Sequence, residues 1–142
     1  MPSLVTERIE SVKAGILASA VFGAIETLFI LFNNSLAIRA ASNFQIWQLT
    51  SIADFLGKLA IAFISGFLFG VTYRYIIRSD HNSHLQDGSV LAFGLVRGLA
   101  LTEGTSFTML WLLLIFESIL SFAIARLSLD FALKFKLIKP FS

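Results

Sequence analysis

Cysteine is absent from the 142-residue sequence, and histidine is nearly so. Without cysteine the chain has no disulfide, no thiolate zinc site and no cysteine nucleophile. The two histidines, His81 and His84, lie in one polar segment, so no predicted span supplies a histidine to a haem. Two histidines are also too few for zinc, which takes three or four protein ligands. We therefore expect neither a metal centre nor a cofactor.

Charged residues are scarce as well. Asp, Glu, Lys and Arg make up 14% of the chain, with a formal net charge of +2, whereas a soluble domain carries about 25% charged residues. No run of like charges occurs, which argues against nucleic acid as a partner. The sequence also lacks the phosphate-binding glycine loop, the His-Glu zinc helix and the nucleophile motifs of known enzymes. We therefore expect a protein that is not an enzyme.

Apolar residues dominate instead. They make up 56% of the chain, and the mean hydropathy is +0.82. A soluble chain of this length buries too small a fraction of its surface to hide so much apolar area. The composition indicates an integral membrane protein, with the lipid bilayer as its first partner. A span needs about 20 mostly apolar residues, and the candidates are 14–32, 55–77, 89–105 and 107–125.

We predict one all-α membrane domain over residues 1–142, with four transmembrane helices in an up-down antiparallel bundle. The third span is the weakest because it contains Arg97 and Glu103, and by itself it fits a re-entrant segment. The mixed segment 33–54 contains Trp47, a residue that favours the membrane interface. It predicts a short interfacial helix or an early start of the second span. The end of the second span, Gly66–Arg74, weakly matches the end of the fourth, Ser118–Arg126. If this match reflects a duplication, the bundle consists of two helical hairpins.

Lysine and arginine predict the orientation. With four spans, both termini and the polar loop 78–88 lie on one side, together with eight basic residues, against two on the other side. Basic residues accumulate on the cytoplasmic side of membrane proteins. We therefore expect the tails 1–13 and 126–142 to be cytoplasmic. Lys58 and Arg74, near span ends, are expected to extend towards the interface.

Small residues recur at every fourth position of the spans. The best examples are Gly66-x-x-x-Gly70 in the second span and Gly94-x-x-x-Gly98 in the third. Small side chains let two backbones approach closely, and in lipid this packing drives helix association. We predict that these four glycines contact neighbouring helices of the same chain; the alternative is a contact with a second copy.

Three charged residues lie deep in the predicted spans: Glu26, Arg97 and Glu117. A charge at the bilayer centre costs about 2.5–3.5 kcal/mol on insertion scales. At about 1.5 Å per residue, Arg97 and Glu117 have the same depth, and Glu26 lies slightly further from the cytoplasmic side. We predict an Arg97–Glu117 ion pair that fixes the helix register, with Glu26 as the reserve partner. The alternatives are a transport or proton-relay role, or a contact with a subunit, lipid headgroup or pigment.

Two sequence blocks carry a resemblance. GFLFGVTYRYIIR, from Gly66 to Arg78, and GSVLAFGLVRGLA, from Gly88 to Ala100, resemble a group of small uncharacterised integral membrane proteins of cyanobacteria and plastids. The similarity covers residues 60–100. It implies a plasma or thylakoid membrane, and it brings no activity and no catalytic residue with it.

The function expected from the sequence is that of a small membrane protein without enzymatic activity. It would act by packing its helices against other membrane proteins or against itself, as a subunit or assembly factor. The alternative is a small oligomeric transporter or channel that uses Arg97 with Glu26 or Glu117.

The orientation can be tested with reporter fusions. A reporter fused at Ser142 is expected in the cytoplasm, and one inserted within 34–50 on the opposite side, because an even number of spans returns the chain to its starting side. Activity of a periplasmic or lumenal reporter, against that of a cytoplasmic one, measures each position. Two fusions found on the same side would contradict the four-span topology.

Overall fold

The computed structural model shows an all-helical chain, with no strand among the residues it describes. The helices are α1 (Leu4–Arg39), α2 (Ile52–Ile77), α3 (Ser83–Leu101) and α4 (Thr108–Lys134). Three of them, α1, α2 and most of α4, are long and apolar enough to cross a membrane. This confirms the all-α class and three candidate spans, while a crossing by α3 stays a prediction. The described residues are 3–39, 49–77, 82–103 and 108–141.

α1 is longer than the predicted first span. It starts at Leu4, so most of the predicted N-terminal tail is helix, and it continues to Arg39. Its 36 residues give a length of about 54 Å, well above the roughly 30 Å of a hydrocarbon core. The interfacial helix predicted over 33–54 is therefore wrong for its first part, which continues α1. Its residues 40–48, including Trp47, lie outside the described residues.

α3 begins inside the segment predicted as a polar loop. Asn82 caps the helix, and its side-chain oxygen accepts the backbone N–H of His84 at 3.0 Å. Asparagine suits this position because its side chain satisfies a backbone donor that has no partner within the helix. At the other end α3 stops at Leu101, four residues before the predicted end of the third span. The loop prediction overlooked this cap.

α4 runs to Lys134, beyond the predicted end of the fourth span. In this extension Leu129 and Ala132 are 2% and 1% exposed, so an apolar face packs on the bundle. The chain then turns back, and Ile138 is also buried in the core. The segment 126–142, predicted as a cytoplasmic tail, thus begins as part of α4, and its side of the membrane stays a prediction. The helix continues because burial of one face stabilises it, while Leu127 and Phe131 are exposed on another face.

α1 and α2 form one closely packed, antiparallel hairpin. A Cβ atom added at Gly66 would lie 2.9 Å from the Cα atom of Ser19, and one added at Gly70 would lie 2.7 Å from the Cβ atom of Ala18 and overlap the carbonyl oxygen of Ala14. No real Cβ atom fits at such distances. Both glycines are thus points where the two backbones touch, as small residues allow in lipid.

α3 and α4 form the second antiparallel hairpin in the same way. A Cβ atom at Gly94 would lie 2.8 Å from the Cα atom of Ile119, and one at Gly98 would lie 2.7 Å from that of Ile115. All four glycines predicted for packing therefore face a helix of their own chain. None of them needs a second copy as its contact.

An aromatic cluster joins the two hairpins. Phe69 of α2 has its ring centroid 5.3 Å from that of Phe93 in α3 and 5.1 Å from that of Phe122 in α4. Phe22 of α1 lies 4.4 Å from Phe122. Large aromatic rings bury much apolar area and gain further from tilted contacts. Among the described residues α1 and α3 have no backbone contact, so they occupy opposite corners of the bundle.

Arg74 holds the end of the bundle that carries both termini. It is only 2% exposed, so its side chain is enclosed by the protein, and its position relative to the interface stays a prediction. Its guanidinium donates to Glu7 Oε2 at 2.6 Å, to Ser11 Oγ at 2.7 Å and to the carbonyl oxygen of Lys139 at 2.8 Å. Glu10 accepts the backbone N–H of Lys139 at 2.8 Å. The C-terminal segment is thereby fixed to the start of α1.

Replacing Gly70 by Leu tests the glycine contact. The new side chain would push α2 away from Ala14, and overpacking of this kind costs about 1–3 kcal/mol or more. We expect a lower midpoint of thermal unfolding in detergent. Gly57→Leu is the matched control, because a Cβ atom there meets nothing within 4 Å. Equal midpoints for the two variants would show that the contact at Gly70 does not stabilise the hairpin.

Candidate functional site

A cleft of about 290 Å³ lies between the two hairpins, at the end of the bundle away from the termini. All four helices line it, and among the described residues α1 and α3 have no backbone contact with each other. In α1, α3 and α4 the aromatic cluster lies about one helical turn from the polar cleft residues, on the side of the termini. The walls are Phe29, Ile30, Ile61, Ala100, Leu101 and Leu114, and the polar lining is Glu26, Asn33, Lys58, Arg97, Glu103 and Glu117.

Helical spacing brings these side chains to the cleft. In α1 Glu26, Ile30 and Asn33 are separated by four and three residues, which places them on one face. In α3 the same spacing aligns Arg97 with Ala100. Each helix thus presents one stripe to the cleft and leaves its other faces to lipid or to its hairpin partner.

Arg97 and Glu26 form the central ion pair. Arg97 Nη2 lies 2.9 Å from Glu26 Oε2, and the two side chains are 11% and 7% exposed. The other carboxylate oxygen of Glu26 lies 2.8 Å from Ser121 Oγ, and the guanidinium carbon of Arg97 lies 5.3 Å from the ring centroid of Phe22. The pair is therefore closed in by further contacts on both sides.

Arg97 has the reserve partner of the sequence prediction, not the first choice, Glu117. Gly98 lies on the face of α3 that packs against Ile115 of α4. Arg97 precedes Gly98 by one residue, about 100° around the helix, and its long side chain crosses to α1. The prediction that Arg97 and Glu117 have the same depth depends on the predicted span ends, whereas the helices extend beyond them.

Glu117 is bound by an amide. Its Oε2 accepts from Asn33 Nδ2 at 3.0 Å, and the two residues are 6% and 8% exposed. Among the described residues no Lys or Arg nitrogen lies within 4 Å of this carboxylate. Asn33 Oδ1 and Arg97 Nε, both on side chains that line the cleft, are buried atoms without a hydrogen-bond partner among the described residues. One acceptor and one donor beside the cleft are thus left unsatisfied by this part of the chain.

The outer part of the cleft is less enclosed. Lys58 Nζ lies 3.3 Å from Asp54 Oδ2, and its side chain is 37% exposed. Glu103, in the turn after α3, is exposed. The two cations that line the cleft, Arg97 and Lys58, therefore each face a carboxylate already.

Sequence reasoning missed Asn33 as a site residue and placed it in the polar connection after the first span. The signal that identifies it is the interval of seven residues from Glu26, which corresponds to two helical turns and one face. Ser121, which contacts Glu26, gave no comparable signal, because serine is a common packing residue in membrane helices.

No family model matches the chain, and no curated protein or solved structure matches it. The resemblance to small membrane proteins of cyanobacteria and plastids stays a prediction. The function is therefore argued from the cleft itself.

A double-mutant cycle tests the ion pair. Glu26→Leu is expected to lower the free energy of unfolding more than Arg97→Leu, because a guanidinium keeps its charge whereas a carboxyl group can take up a proton. The variant with both substitutions is expected to be more stable than the sum of the single losses, since a buried pair can be replaced by apolar residues. A coupling of about 0.5–3 kcal/mol is expected for such contacts.

Unfolding in detergent, followed by circular dichroism, gives the three free-energy differences. The matched control is the cycle of Arg97→Leu with Glu117→Leu, for which we expect a smaller coupling because these two side chains form no ion pair. Additive losses for Arg97 and Glu26 would contradict the pair observed here.

Proposed function

We propose that this protein is a small integral membrane protein that binds a solute in the cleft between its hairpins and serves in its transport. The observation that carries the proposal is the group of charged side chains, Glu26, Arg97 and Glu117 among them, around one cavity between helices suited to span a membrane. The proposal involves no chemical reaction. It takes the transporter alternative of the sequence analysis as the better supported one.

The cost of ionisable residues in membranes supports this function. Each charge near the bilayer centre costs about 2.5–3.5 kcal/mol on insertion scales, and such residues typically mark solute or ion pathways. The Arg97–Glu26 pair by itself is explained as an ion pair that fixes the helix register. The hydrogen-bonded pair of Glu117 and Asn33 is not explained in this way, because two apolar side chains would fill the same space at lower cost. A concave site with apolar walls and a few convergent polar groups is typical of ligand binding.

The arrangement of the hairpins suits a site open on one side. The aromatic cluster packs the bundle between the cleft and the end that carries the termini. With both termini cytoplasmic and α3 as a fourth span, the cleft faces the outside of the cell or the thylakoid lumen. Rocking of one hairpin against the other would open the opposite side, as in transporters built from helical repeats.

The subunit or assembly-factor hypothesis receives less support. Its sequence signal was the set of small-residue stripes, and the four glycines are engaged within the chain. The outer surface carries large aliphatic side chains, such as Leu68 at 53% and Val96 at 71% exposure. Such a surface suits lipid without further partners.

Water access to the cleft tests the proposal. The chain has no cysteine, so single-cysteine variants report one position each. Ala100 lines the cleft, whereas its neighbour Leu99 is 54% exposed on another face of α3. In intact membranes we expect a charged methanethiosulfonate reagent to modify Ala100→Cys much faster than Leu99→Cys, because only a hydrated cleft lets the thiolate form and react.

Mass spectrometry or loss of later maleimide labelling measures the modification. The two positions have nearly the same depth, so their difference reports the cleft and not the distance from the interface. An Ala100→Cys variant as unreactive as Leu99→Cys would mean that lipid or a partner protein fills the cleft, which would contradict solute binding.

A further inference from the structure

The charged side chains around the cleft differ in whether they have a partner of opposite charge. Arg97 is paired with Glu26 at 2.9 Å and Lys58 with Asp54 at 3.3 Å. In the part of the chain that the structure describes, Glu117 has no such cation, although it is only 6% exposed. A bound anion would have to displace a carboxylate from Arg97 or Lys58, whereas a cation would meet in Glu117 a carboxyl group that no Lys or Arg of the described residues holds.

A second observation points to the same place. Asn33 is 8% exposed, lines the cleft, and its Oδ1 has no hydrogen-bond partner within the described part of the chain. Its Nδ2 donates to Glu117 at 3.0 Å, so the carboxylate and the free amide oxygen belong to two bonded side chains. A donor with several N–H groups would satisfy both oxygens, which removes the cost of a buried acceptor without a partner.

The other lining residues indicate an organic cation and not a metal ion. Among the described residues no group of three or more His, Cys, Asp or Glu side chains is placed to hold a metal, and calcium or magnesium takes six or more oxygen ligands. The walls near Glu117 include Phe29, Ile30 and Leu114. Apolar walls accept a hydrocarbon body, and an aromatic ring adds attraction for a cation.

We infer that the cleft binds a small organic ammonium ion, whose N–H groups are held by the Glu117 carboxylate and Asn33 Oδ1 and whose apolar body lies against Phe29, Ile30 and Leu114. This inference rests on the proposed function and names its class of solute. The Arg97–Glu26 pair keeps its structural role.

Three probes of the same shape and different charge test the inference: benzylammonium, benzyl alcohol and benzoate. Binding to the purified full chain in lipid nanodiscs is measured by equilibrium dialysis, with empty nanodiscs as the blank for partition into lipid. We expect saturable binding of benzylammonium that is at least about tenfold tighter than that of either other probe, as one charged hydrogen bond provides.

A variant and its control test whether the Glu117 carboxylate provides the charge that binds benzylammonium. Glu117→Gln keeps the shape and the acceptor for Asn33 but removes the charge, and it is expected to weaken benzylammonium at least about tenfold. Asp87→Asn, which removes an exposed carboxylate at the end of the bundle that carries the termini, is the matched control and is expected to change the affinity less than about twofold. If Glu117→Gln fails to fold, Asn33→Leu keeps the carboxylate and is expected to weaken benzylammonium several-fold.

The outcomes separate this inference from the proposed function. Equal binding of benzyl alcohol and benzylammonium, tightest binding of benzoate, unchanged affinity in Glu117→Gln, or no binding of any probe would each overturn the cation site. If Ala100→Cys still reacts with the charged reagent, solute binding survives and only the class of solute is wrong. If it does not react, the proposed function fails together with the inference.

Discussion

A guanidinium within a bundle of lipid-exposed helices needs a carboxylate, and the ion pair of Arg97 with Glu26 meets this need across the bundle. The two residues belong to α1 and α3, which have no backbone contact among the described residues. The pair therefore joins two helices whose backbones do not contact each other, and it sets the distance between the hairpins at the cleft. Removal of either partner alone would leave the other exposed to a medium of low dielectric constant, where an uncompensated charge is costly.

Close glycine contacts within each hairpin explain why that space exists. Gly66 and Gly70 draw α2 onto α1, and Gly94 and Gly98 draw α3 onto α4. Within each hairpin the backbones touch, whereas between the hairpins the contacts are made by large side chains of the aromatic cluster. Tight contacts in one direction and bulky ones in the other leave room at the end of the bundle beyond the aromatic cluster. The cleft is a consequence of this unequal packing.

Several features of the fold were predictable because they depend on local sequence. The apolar runs gave three helices suited to cross a membrane, and the four-residue spacing gave the glycines that contact a neighbour. Helix ends were less predictable. Hydropathy ends a span where the sequence becomes polar, but Asn82 starts α3 within a polar segment, and α4 continues to Lys134 because Leu129 is buried. A cap and a buried face stabilise a helix beyond its most apolar stretch, so hydropathy alone does not locate the helix ends.

The sequence by itself determined that the chain is apolar, helical and without cysteine chemistry, and that Arg97 would need an acidic partner, because composition and the cost of an unpaired charge do not depend on the fold. Only the tertiary structure decided which carboxylate Arg97 takes. Glu26 and Glu117 differ little in predicted depth, and the choice depends on the rotation of α3 that Gly98 imposes against α4. The same rotation leaves Glu117 to Asn33, an amide that the sequence had placed outside the span. Pairing across helices depends on which faces meet, and that is set by the packing of the whole bundle.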